Sequence, residues 1–304
     1  MPNRGDRAPS GPWGRLKPVE QDVLESMGLP SKGDSRLLDL KTQERYYTKI
    51  VERYMTFCSD AGRRDELLRR FSSLEIASDS GPPSSSAPPP AEHLASPSVE
   101  ALQSPANSKA LSDVIAALRK LREGVVASKR ADDFAVQAYL FCIRLSVLVK
   151  QPESYHPAIL HLLQTIHPRQ PLTSVEFQEV VGYLVLDTAC RRRQLAEAFV
   201  LRRQYGLRDA KVGAVLAALV HDNCVAFGRV KRAVDGHKAR IMEWAEADLR
   251  IHALKCIGKT YMEVEVDFLE RMTGSTWDEL KKNDGVGWEL DRARVTIRKP
   301  KDRR

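Results

Sequence analysis

From Lys109 to about Gly258 the chain repeats one pattern: apolar residues three and four positions apart, interrupted by short turns. That spacing fits a helix and not a strand, whose period is two. Leu111, Val114, Ile115, Leu118, Leu121 and Val125 form one such stripe. Phe134 to Val149 is apolar almost throughout, which predicts a buried helix. Pro152 and Pro157 are expected to mark the turn after it, with a short helix over Ala158 to Ile166. Thr173 with Glu176 three residues on reads as a capping box. Further helices are predicted over Gln194 to Tyr205, over the segment capped by Asp209, over Val225 to Val234, and from His237 to about Tyr261.

Helices of this length joined by short turns pack as antiparallel pairs. The expectation is therefore an all-α fold, an α-solenoid of helix pairs without strict repeat, over residues 109–258. Aromatic residues make up only 7% of the chain. A β-sandwich would call for more aromatic and β-branched strand residues.

The flanks differ. Residues 1–35 carry scattered Pro and Gly and read as a disordered arm, with one short helix around Val19 to Met27. Residues 36–76 are expected to form a helical extension whose apolar face is Leu37, Leu40, Tyr47, Ile50, Val51, Tyr54 and Phe57, with a second short helix from Asp65 to Leu74. Residues 77–108 hold Gly81-Pro82-Pro83-Ser84-Ser85-Ser86-Ala87-Pro88-Pro89-Pro90. Such a composition cannot bury enough surface to offset its ordering entropy, so a disordered linker is expected.

After about residue 258 the pattern changes. A short helix over Val264 to Met272 is closed by Gly274, and Thr276 caps another over Trp277 to Lys282. Trp288-Glu289-Leu290 and Ala293 to Arg298 alternate as two strands around Asp291-Arg292. Helix, helix, helix, strand, strand is the order of a winged helix with a two-stranded wing, over residues 259–300, followed by a basic tail at 301–304. From Thr260 to Leu290 there are three Lys or Arg residues against eight Asp or Glu. A phosphate backbone is repelled by that balance, which argues against groove reading and for a protein-facing module. The chain after Asp291 is basic, with Arg292, Arg294, Arg298, Lys299, Lys301, Arg303 and Arg304 as candidate contacts for RNA or an acidic partner. Trp277, Trp288, Val264 and Leu269 are the candidate partner-binding residues. The two tryptophans read equally as core of the small module.

The run Leu254 to Tyr261, then Val264 to Gly274, Trp277-Asp278-Glu279-Leu280 and Gly287-Trp288-Glu289-Leu290, resembles the C-terminal half of one branch of the PCI proteins. That branch joins subunit 8 of the signalosome, a small proteasome-lid subunit and subunit k of translation initiation factor 3. Asn223 to Phe227 with the basic Arg229 to Arg232 resembles the helix preceding the module there. The resemblance implies a scaffold without an active site, which docks through side-by-side winged-helix contacts with other PCI-type subunits. The Trp288 strand followed by Arg298-Lys299-Pro300 looks closest to the signalosome subunit. The N-terminal extension and the Pro/Ser segment depart from the pattern, as does the lack of a long terminal helix. An RNA-associated PCI protein of mRNA export, processing or translation initiation, using the basic tail, is the alternative.

The motifs of common enzyme classes, G-x-x-x-x-G-K, H-E-x-x-H, C-x-x-C and G-x-S-x-G, do not occur. The chain is read as no enzyme, with no cofactor, metal or small-molecule substrate. His221 and Cys224 fall three apart on what reads as one helical face, too few donors for a metal. The five cysteines are spaced apart in mostly apolar runs, the habit of a reducing compartment. No run approaches eighteen apolar residues and the N-terminus has no h-region, so neither membrane insertion nor secretion is expected, and the location is read as cytoplasm or nucleus.

Overall fold

The structure is a computed structural model that describes residues 23–77 and 105–298. Most of the arm, the linker over 78–104 and the tail residues Lys299, Lys301, Arg303 and Arg304 lie outside the described residues. The chain divides into two compact units, one up to Arg130 and one from Ala131.

The first unit is built on two long helices. Helix α1 (Val23–Ser26) and 3-10 turns at Pro30–Lys32 and Arg36–Leu38 lead into α2 (Leu40–Ala77), which packs on α3 (Pro105–Ala127). Helix α3 includes residues 105–108, assigned to the linker by their composition, and it belongs to this unit rather than to the helical array that follows. All six residues of its expected stripe are buried. Helix α2 runs unbroken where two helices were expected. Its inner face also differs: Gln43, Tyr46, Ile50 and Phe57 are buried, while Leu40 is exposed. The cause is Gln43, whose amide donates to the Leu37 carbonyl at 2.8 Å and to Ser128 Oγ at 3.0 Å. With its donors satisfied, this polar residue takes a core position and turns the apolar stripe with it. Residues 23–35, read as the end of the arm, include the short α1 within the expected helix around Val19 to Met27. Leu24 and Met27 are buried, and the Leu24 carbonyl accepts from the Tyr46 hydroxyl at 3.1 Å and from Lys120 at 2.9 Å.

The second unit contains α4 (Asp133–Leu148), α5 (Pro152–His161), α6 (Ser174–Leu186), α7 (Leu195–Gln204), α8 (Ala210–Val220), α9 (Cys224–Ala233) and α10 (Gly236–Thr260). Five of the seven starts are set by side-chain caps: Asp132, Thr173, Asp209, Asn223 and Asp235 each accept from a backbone N–H of the first turn. Each cap contributes about 1 kcal/mol. Gly206, with a φ of 60°, closes α7 in the left-handed region. Pro157, expected in a turn, sits inside α5. His221 caps the end of α8 and Cys224 opens α9, so the two do not share a helical face.

The helices do not stack in one dimension. In a solenoid each repeat touches only its neighbours. Here α10 packs against α4, α6 and α9 together, so the last helix of the array returns to the first. Two π-helical turns, Leu162–Ile166 and Asp187–Arg191, follow α5 and α6. The second carries Asp187 to full burial. Its carboxylate accepts from Arg191 at 2.6 and 2.7 Å and from the Tyr155 hydroxyl at 2.5 Å, and His156 Nδ1 lies 3.4 Å away. Burial alone would raise its pKa, but the bonds from Arg191, His156 and Tyr155 outweigh that and hold it at about 2.

The chain then forms β1 (Glu263–Glu265), α11 (Val266–Thr273), α12 (Trp277–Asn283), β2 (Glu289–Asp291) and β3 (Arg294–Thr296). The three strands make an antiparallel sheet in the order β1-β3-β2. Val264, Val295 and Leu290 stand in register across it. The molecule is thus mostly helical with a small three-stranded sheet near its C-terminal end. Strand β1, whose Val264 and Glu265 were read from sequence as the start of a helix, was not expected. Too short to show an alternation, it is defined by its pairing with β3.

Candidate functional site

The terminal module is fixed to the end of α10. Leu254 and Ile257 of that helix share a core with Val264, Leu269, Leu280 and Val295, and Trp277, Trp288, Val286 and Phe268 pack around it. Gly258 lets Trp288 in: a Cβ there would stand 3.1 Å from the indole. Arg250 of α10 donates to Asp284 at 2.8 Å, and Asp284 is nearly buried. Thr276 and Glu279 close a capping box on α12. Glu270 accepts from the Trp277 N–H at 2.8 Å. Lys281 donates to the Trp288 carbonyl at 3.2 Å and sits over the Trp277 ring.

These bonds sort the acidic residues. Asp284, Glu270 and Glu279 serve the module's own fold. Glu263 faces Arg294 at 3.9 Å in an exposed pair. Glu265, Asp267 and Asp278 remain on the exposed skin. Tyr261, Met262 and Leu290 are exposed apolar side chains beside them. An acidic surface dotted with apolar residues suits recognition of another polypeptide better than of a phosphate backbone.

The expected partner-binding residues separate accordingly. Val264 and Leu269 are buried in the module core, so they are not surface contacts. Val264 is the middle residue of β1, between two exposed glutamates, and Leu269 lies on the inner face of α11. Trp277 and Trp288 are half-buried and pack against the same core. Beside Trp288 lies a cavity of about 310 Å³ lined by Ile251, Leu254, Lys255, Gly258, Asp284 and Val286. In the basic segment, Arg292 is in the hairpin turn with a φ of 55°, Arg294 makes the pair with Glu263, and Arg298 donates to the Lys259 carbonyl at 2.6 Å. That last bond neutralises the C-terminal end of α10. Arg294 and Arg298 are thereby engaged within the module.

Sequence reasoning missed the buried Asp187 cluster, because its members Tyr155, His156, Asp187 and Arg191 come from two separate segments. Among the cysteines, Cys142 and Cys190 are buried and Cys256 is exposed. Among the described residues, no three His, Cys, Asp or Glu side chains are placed to hold a metal ion, and no helix is long and apolar enough to cross a membrane. Comparison with protein-family models finds none that matches the chain, and no curated protein matches it.

Proposed function

We propose that the chain is a scaffold subunit of a multiprotein complex, of the PCI type, and that the terminal module is a winged helix that docks on another polypeptide. The observation that carries this reading is the module itself. Its element order, with a sheet of order β1-β3-β2 and with α11 and α12 between β1 and β2, supports a winged helix. Between Thr260 and Leu290 its exposed skin carries more Asp and Glu than Lys and Arg, and it is set with Tyr261, Met262 and Leu290. A winged helix that reads duplex DNA presents Lys and Arg to phosphates. This one carries three cations against eight carboxylates between Thr260 and Leu290. The partners proposed are other PCI-type subunits, with the signalosome as the assembly most resembled.

The test is purification of the tagged full chain from its own cells at mild salt, followed by size analysis and identification of what travels with it. Stoichiometric association with several subunits that carry the same helical-array-plus-module design supports the reading. A Glu265→Lys, Asp267→Lys variant should lose them while keeping its helical circular dichroism. Elution as a lone chain, or tight binding of duplex DNA at physiological ionic strength, would refute it.

A further inference from the structure

Two arginine clusters look alike in sequence, Arg191-Arg192-Arg193 and Arg202-Arg203, and the structure separates them. Each arginine of the first cluster has a carboxylate partner: Arg191 meets Asp187 at 2.6 Å, Arg192 meets Glu197 at 3.0 Å, and Arg193 meets Asp248 at 2.6 Å. That cluster is committed to holding the array together. Arg202, Arg203 and Arg208 have no carboxylate partner among the described residues. The three line one shallow, solvent-open cavity together with Phe199, Gly206 and Leu207.

The cavity is built by local sequence. Phe199 stands three and four residues before Arg202 and Arg203, so all three share one face of α7. Gly206, in the left-handed region, turns the chain back so that Arg208 faces them. Arg202 is seated over α8 at Gly213, where a Cβ would lie 3.0 Å from its guanidinium. Asp209, next to Arg208 in the chain, is already taken by Lys238 at 2.9 Å. Phe199 is 40% exposed, a large aromatic ring left open beside three guanidinium groups.

Unneutralised arginines around an exposed ring have one obvious chemical complement: a chain of phosphates carrying flat bases. Guanidinium groups fork onto phosphate oxygens, and a ring of this kind stacks on any base. A duplex would offer the phosphates but keep its bases stacked away from Phe199. We propose that the Phe199–Arg202–Arg203–Arg208 cavity binds single-stranded nucleic acid, with the arginines on the phosphates and an unpaired base on Phe199. This site is on the helical array. It is independent of the terminal module and of the basic tail, and it does not require that the chain be a PCI-type scaffold.

The experiment is fluorescence anisotropy of the full chain with labelled oligouridylate, its deoxy counterpart and a duplex of equal length, each over a salt series. Binding is expected for both single strands, with the RNA–DNA preference reporting any contact to the 2′-hydroxyl. Phe199→Ala should weaken it about tenfold without changing the salt slope. Arg203→Glu with Arg208→Glu should weaken it more and lower the slope by about one to two, since each single-strand phosphate contact contributes about 0.7. Lys41→Glu with Arg45→Glu makes the same change in net charge at exposed positions of α2 and should have little effect. Circular dichroism establishes that each variant is folded. Three results would overturn the proposal: no binding of single strands at low salt, equal losses from the two double variants, or displacement of the probe by poly-glutamate with no response to Phe199→Ala. The last of these would assign the cavity to an acidic peptide.

Discussion

Asp187 offers the most direct test of how the second unit is held together. Replacing it with Asn keeps the shape and removes the charge to which Arg191, Tyr155 and His156 are all directed. Removing one member of a fully buried ion pair costs about 3–5 kcal/mol. Arg191 keeps a quarter of its side chain in solvent, so the low end of that range, about 3 kcal/mol, is expected. The pH dependence gives an independent figure. The folded pKa of about 2 lies below the ordinary 3.8. A depressed carboxylate contributes stability that is complete above its unfolded pKa and lost as pH falls through the folded value. The difference corresponds to about 2.5 kcal/mol near neutrality, of which about 1 kcal/mol is gone by about pH 3. Urea unfolding followed by tryptophan fluorescence reads this, since Trp244, Trp277 and Trp288 lie in the second unit. The gap between wild type and Asp187→Asn should be about 3 kcal/mol at about pH 7 and narrow by about 1 kcal/mol at about pH 3. A gap below about 1 kcal/mol at neutrality, or one that does not change with pH, would show that the cluster does not act through its charge.

Three glycines give predictions of different sign. At Gly124 a Cβ would stand 2.7 Å from the Leu37 carbonyl oxygen, so Gly124→Ala should lower the stability of the first unit by about 1–3 kcal/mol despite its better helix propensity, as scanning calorimetry will show. At Gly228 the only neighbour is the tip of Arg232, 3.8 Å away, so Gly228→Ala should raise the melting temperature, gaining about 1 kcal/mol of helix propensity. At Gly258 the neighbour is Trp288, so Gly258→Val should destabilise the module by about 2 kcal/mol and red-shift its tryptophan emission.

Where the sequence reading succeeded, the signal was local. Thr173, Asp209 and Thr276 cap the helices they were expected to cap, and the stripe from Leu111 to Val125 is the buried face of α3. Where it failed, the deciding partner was distant along the chain. Gln43 takes a place on the inner face of α2 through contacts with Leu37 and Ser128. Strand β1 exists because β3, some thirty residues on, pairs with it. Segment 105–108 joins a helix whose partner is α2, and composition alone placed it in the linker. The candidate sites follow the same rule. Counting charges was enough to find the acid of the module. Only the positions of Glu197 and Asp248 tell which arginines are already neutralised.

The two proposed surfaces carry opposite charge, and this separates them experimentally. A net charge of +8 suggests a uniformly basic protein, but at physiological ionic strength exposed charges act over about 8 Å, so each surface is governed by its own residues. The acidic skin at Glu265 and Asp267 and the cationic cavity at Arg203 and Arg208 should therefore respond to charge reversal independently. Glu265→Lys with Asp267→Lys should abolish protein association and leave oligouridylate affinity within about twofold, because any long-range gain is screened. Arg203→Glu with Arg208→Glu should do the reverse. Combining the two sets should give additive free-energy changes within about 0.5 kcal/mol, as expected for sites that share no partner. If instead either double variant removes both activities in a chain that remains folded, the charges belong to one continuous surface, and assigning separate partners to the module and to the array is wrong.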